Sequence, residues 1–211
     1  MKAWLALWAA GSAVWGAEPR IVYSREQPGS QPAYVWIAVE RDGQGVYRES
    51  PEEEGGTAFR LLPHEVDAIF DLAKRLDYFR KPLDANVKVG NVGLKTFRYE
   101  AGGQVQEVQF HYSRIPEARL LADWFARITE TQQALARLQR CLDFDKLGAH
   151  QVLLQIQILA ERERLVGAPQ LLPLLDRIAE DETYLNIARK RARLIAERIR
   201  QSSASPPAGS R

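Results

Sequence analysis

Residues 116–142, PEARLLADWFARITETQQALARLQRCL, divide the chain into two structural regimes. Leu121, Trp124, Ile128, Thr131, Leu135, Leu138 and Leu142 recur at alternating steps of three and four, which lines them along one stripe of a helix. Pro116 has no amide N–H to lose at a first helical position and marks the start. At ~1.5 Å rise per residue the helix spans roughly 40 Å. Its stripe has two parts. Leu121, Trp124, Phe125 and Ile128 belong with the strand-rich region before it, and Leu135, Leu138 and Leu142 with the helices after it. Between them Thr129 to Gln133, TETQQ, is a polar interval where the apolar seam thins. A boundary between an α+β domain over 17–130 and a helical region over 131–200 is expected inside this helix, making the two parts one rigid unit.

Upstream, the signals are those of strands. Residues 20–25 (RIVYSR) form a short one, broken by QPGSQP, whose prolines cannot continue a ladder. Residues 34–41 (YVWIAVER) are the strongest strand, rich in β-branched and aromatic residues. Its Val35, Ile37 and Val39 are expected to face inward, and Tyr34, Trp36 and Ala38 outward. Asp42-Gly43 offers a turn into a returning arm at 46–49. The loop SPEEEGG and a strand at 57–62 follow. Pro63 opens a helix with Val66, Ile69, Phe70, Ala73 and Leu76 on one face. Leu62 before it has no side-chain acceptor, so this start depends on packing and on Glu65. Residues 94–100 and 105–112, joined by AGGQ, read as a hairpin. Phe97, Tyr99, Val108 and Phe110 share one face, and Thr96, Arg98, Glu107, Gln109 and His111 the other. The predicted fold is α+β: an antiparallel sheet with helices packed on it, followed by an all-helical C-terminal extension.

The order YVWIAVERDGQGVY, then TAFRLLPHEVDAIFDLAKRLDYF, then a hairpin and a helix, resembles a family of small exported bacterial domains of unknown function. The resemblance covers roughly residues 20–130 and carries no catalytic motif. Leu62-Pro63 departs from the polar cap usual there, as does the helical extension after residue 142. It implies a fold and export, and nothing about chemistry.

In the extension, residues 144–165 are predicted helical, with Leu147, Leu154, Ile158 and Leu165 on one stripe. A helix at 170–180 and another at 184–200 follow, at spacings that favour antiparallel packing. The polar, Pro-rich residues 201–211 read as a disordered tail.

The chain has 211 residues, 45% hydrophobic and 27% charged, with a net charge of +2. That composition supports a sizeable core and gives weak long-range attraction to nucleic acid. Lys2, the apolar run AWLALWAA and small residues up to Gly16 have the three parts of a secretory signal peptide, residues 1–16. The run is too short for a retained span, so no stable membrane span is expected after cleavage and the mature chain would be periplasmic or secreted. Cleavage is placed after Gly16, with Ala17 as the alternative. Cys141 is the only cysteine, which excludes an intrachain disulfide and a cysteine-based zinc site, and it is expected to be buried.

Local motifs for catalysis are absent. His64, His111 and His150 have no HExxH spacing, no GxSxG occurs, and VGNVG lacks the remainder of a phosphate loop. Glu49, Glu52, Glu53 and Glu54 lack the alternating ligands of a calcium loop. The basic run Arg189-Lys190-Arg191-Ala192-Arg193 reads as a solvated helix face. What stands out is the aromatic outer face of Tyr34 and Trp36, which needs a cover. The C-terminal helices are expected to supply it. With Arg98 and His111 these two residues make up the candidate binding surface. No cofactor is expected. The function expected is a non-enzymatic binding or scaffolding module of the bacterial cell envelope, whose partner would be an envelope protein and not a nucleic acid. The alternative is an envelope hydrolase whose His-dependent site assembles from distant residues.

Overall fold

The computed structural model describes residues 18–87, 90 and 92–204. The signal-peptide reading at 1–16, Val89 and Asn91 of VGNVG, and the tail from 205 onward lie outside the described residues.

Six antiparallel strands form one sheet in the order β4-β3-β2-β1-β5-β6. They are β1 (Arg20–Glu26), β2 (Tyr34–Glu40), β3 (Gln44–Arg48), β4 (Thr57–Arg60), β5 (Leu94–Ala101) and β6 (Gln104–Phe110). The turn chemistry sets the registers. Asp42 accepts the Gln44 N–H at 2.8 Å while Gly43 takes φ +89°, returning β2 into β3. Gly102-Gly103, at φ +56° and +78°, closes the two-residue β5–β6 hairpin. Side chains alternate, so Ile21, Tyr23, Val35, Ile37, Val39, Phe97 and Phe110 share the inner face and are all buried.

Helices cover that inner face. Helix α1 (Pro63–Arg75) and the first half of α2 (Pro116–Phe144) share a core with the strands, in which Tyr23 stacks on Phe125 at 4.8 Å. Gly45 lets the Phe59 ring lie against β3, where any Cβ would collide with it. After α1 a left-handed turn at Asp77–Phe79 inserts Phe79 beside Phe97, at 5.2 Å between ring centres.

A second core joins the other half of α2 to α3 (Ala149–Glu161), α4 (Leu172–Glu180) and α5 (Asn186–Ala204). Ala134, Leu138, Cys141 and Leu142 are the contribution of α2. The fold is therefore α+β with a C-terminal helical region.

Details differ from the sequence reading. On α2 the fully buried aromatic is Phe125, whereas Trp124 lies at the core's edge under the Arg127 guanidinium, 4.5 Å from its ring. On α3 the buried residues are Ala149, Leu153 and Ile156, whereas Leu154 and Ile158, and Leu147 ahead of the helix, are exposed. Helix α5 continues through Ala204, so residues 201–204 extend it and are not part of a tail. Most of the basic run on α5 is used within the chain. Arg193 donates to the Ala179 carbonyl at the end of α4 at 2.8 Å, and Arg191 donates to the His150 carbonyl at 2.9 Å.

Candidate functional site

The four residues of the expected patch do not form one site. Tyr34 and Trp36 share the outer face of β2, and the pairings Trp36–Ser24–Thr96 place Arg98 one step along and two strands away. Trp36 and Arg98 line a shallow depression of about 290 Å³. His111 sits just past β6, with its side chain 62% exposed. Arg98 pairs with Glu107 and not with His111, because the hairpin register sets Arg98 opposite Glu107 and leaves His111 four residues further on, beyond the end of β6.

The expected cover is also different. Every residue lining the depression belongs to β1, β2, β5 or β6, and the C-terminal helices build their own core with α2. What covers Trp36 is the Arg48 guanidinium, 4.5 Å from its ring. Beside it Glu100 accepts from Arg20 at 2.5 Å and from Arg98 at 2.6 Å, and Arg98 reaches Glu107 at 3.4 Å. Burial would raise the Glu100 carboxyl, but the two arginines outweigh it and hold the group below its ordinary value. The outer face is thus neutralised by its own side chains.

The larger cleft lies at the waist, where the sheet edge, α2 and α4 meet, and has a volume of about 470 Å³. Tyr47 and Glu49 reach it from the end of β3, Thr57 from the start of β4, and Glu53 from the loop between them. Helix α2 contributes Gln132, Leu135, Ala136 and Gln139, one turn apart in pairs. The opposite wall is Gln170, Pro173 and Leu174.

Gln132 sets this cleft apart. It is 3% exposed, and both its amide nitrogen and its amide oxygen are buried with no hydrogen-bond partner among the described residues. Buried amides are nearly always paired, and leaving one unpaired costs about 1–3 kcal/mol. The acidic rim, by contrast, is fixed in place. Tyr47 donates its hydroxyl to Glu49 Oε1 at 2.6 Å, and Gln133 Nε2 donates to the same oxygen at 3.1 Å. Burial, then the Glu49 carboxylate, push the Tyr47 phenol far above its ordinary value, so it remains a donor. Glu53 Oε2 accepts the Glu49 N–H at 3.2 Å. Neither Glu49 nor Glu53 has an ion-pair partner among the described residues.

A polar junction, buried at Glu65 and Thr131 and open to solvent at Arg164, ties the walls together. Glu65 accepts the N–H of Leu62 at 2.8 Å, capping α1, and also the N–H of Gly167 at 3.0 and 3.1 Å. Thr131 Oγ1 accepts the Val166 N–H at 3.0 Å. Arg164 forms a two-pronged pair with Glu130, at 2.6 and 2.7 Å, and reaches Asp123 at 3.2 Å. Gly167 takes φ +66°, and a Cβ there would press on the Arg60 carbonyl. The segment leading into α4 is therefore tied to both α1 and the middle of α2.

The other candidates are accounted for. Asp84 accepts the N–H groups of Asn86 and His111, both at 2.7 Å, and these two bonds hold its carboxyl below the ordinary value. His111 Nδ1 is 3.6 Å from Asp84, longer than a hydrogen bond. Among the described residues no other histidine lies within ion-pair distance of a carboxylate, and no group of three or more His, Cys, Asp or Glu could hold a metal. Cys141 is buried, which raises its thiol pKa. No helix among the described residues is long and apolar enough to cross a membrane.

The sequence reading placed Gln132 in a polar interval and so passed over it. Its spacing carried a signal: Phe125, Ile128, Gln132 and Leu135 follow steps of three and four, so the amide occupies a core position. No family model, curated protein or solved structure matches the chain.

Proposed function

We propose that this chain is an exported module of the bacterial cell envelope that works by binding and not by catalysis, and that its ligand occupies the Gln132 cleft. The N-terminal sequence pattern supports export. The observation that carries the binding reading is the buried amide of Gln132, without a hydrogen-bond partner among the described residues, in a residue that lines the waist cleft. A fold retains such a group at a cost to its stability when a bound partner satisfies it. The cleft volume falls within the ~300–1,000 Å³ typical of small-ligand sites. The outer-face patch of Tyr34, Trp36 and Arg98 is the lesser candidate, because its charges already pair with one another.

The test is a nuclear magnetic resonance titration of the isotope-labelled protein with N-methylacetamide, a minimal peptide-group mimic. The reading expects saturable shifts of the Gln132 side-chain amide together with Leu135 and Leu174. Shifts absent there, or spread evenly over the surface, would overturn it.

A further inference from the structure

We infer that the ligand of the waist cleft is an extended peptide segment carrying a basic side chain. This rests on the cleft being a binding site and adds the chemical class of what binds. Three features of the cleft converge on it.

Gln132 lines the cleft, and its amide donor and acceptor are both buried with no hydrogen-bond partner among the described residues. A peptide group offers the complementary C=O and N–H, and so satisfies both ends of the amide at once. The rim carries two carboxylates without a cationic partner among the described residues. Glu49 is held by Tyr47 and Gln133, so its negative charge is positioned before any ligand arrives. Leu135 on one wall and Pro173 and Leu174 on the other give the cleft apolar surface. Lysine and arginine match that sequence of environments, because their aliphatic stems lie on apolar surface while their charged ends reach outward. The same carboxylates repel an acidic segment, and they repel nucleic-acid phosphates.

The experiment compares three peptides on the intact protein by the same titration: acetyl-Leu-Lys-Leu-methylamide and its analogues with norleucine or glutamate in place of lysine. The lysine peptide should shift the Gln132 side-chain amide and bind about fivefold more tightly than the norleucine peptide, with the glutamate peptide weakest. The preference should shrink as salt is raised. Replacing both rim acids, Glu49→Gln with Glu53→Gln, should bring the lysine and norleucine peptides to equal affinity while both still shift Gln132. Equal binding of those two peptides to the unaltered protein would overturn the ligand class and leave the cleft as a binding site. The class would also be overturned if N-methylacetamide moved Gln132 and none of the peptides did. If no probe moves Gln132, both the class and the binding reading fail.

Discussion

Both carboxylate oxygens of Glu65 face the backbone N–H of Gly167, at 3.0 and 3.1 Å, joining the first turn of α1 to the segment that leads into α4. One of those oxygens also caps α1 through the Leu62 N–H. A single side chain therefore ties together the sheet-covering helix and the C-terminal helices. Through them it sets the width of the cleft that lies between the two cores.

Glu65→Ala removes the acceptor from two backbone N–H groups, one of them in a buried residue. Urea unfolding should show a loss of about 2–3 kcal/mol. A loss under about 0.5 kcal/mol, the size expected of an ordinary surface change, would mean that the junction does not hold the two parts together.

The same residue sets a pH dependence. Burial raises the Glu65 pKa, and the N–H donors of Leu62 and Gly167 only partly oppose it. Between the ordinary carboxylate value and this raised one, the folded state binds more protons than the unfolded state. Stability from this group is therefore present at low pH and lost as pH rises through the raised value. The stability of the natural protein minus that of Glu65→Gln should be greater at about pH 5 than at about pH 7. A difference that stays flat or reverses would contradict the direction of the shift.

The two aromatic neighbours on α2 should separate clearly. Phe125 is fully buried and stacked on Tyr23, so Phe125→Ala should cost about 3–5 kcal/mol. Trp124 sits at the edge beneath Arg127, so Trp124→Ala should cost about 1–2 kcal/mol. Equal losses in denaturant unfolding would return Trp124 to the core.

On the outer face, Arg48 is the cover of Trp36. In the chain lacking residues 1–16 and carrying Trp124→Phe, Trp36 is the only tryptophan left. Adding Arg48→Ala should raise the acrylamide quenching constant of its fluorescence. An unchanged constant would show that something other than the guanidinium shields the ring.

How much of this was legible beforehand follows from the range of the interactions. Alternation along β2 and β5, the Asp42-Gly43 turn and the Gly102-Gly103 turn are local, and they carried the sheet. The α2 helix was equally plain, but its two stripes, through Trp124 and through Phe125, are adjacent, and only packing on Tyr23 selects between them. Helix α3 is apolar on more than one side, so periodicity could not say that Leu153 faces the core and Leu154 does not. The site was harder still. Glu65 meets Gly167, and Gln133 meets Glu49, across intervals that no local pattern spans. Polar residues on a helix ordinarily mark its solvent face, and at Gln132 the approach of α4 and the β3 end buries one instead.

The central claim is that the Gln132 amide is kept unpaired for a ligand at the expense of stability. Gln132→Met keeps the length and approximate shape of the side chain and removes the amide. Its unfolding free energy, measured by urea denaturation without ligand, tests the claim most directly. The account predicts a gain of about 1–3 kcal/mol over the natural protein, as a buried unsatisfied group is lost. A loss of similar size would contradict it, because the amide would then be a bonded part of the fold with nothing left to offer a ligand.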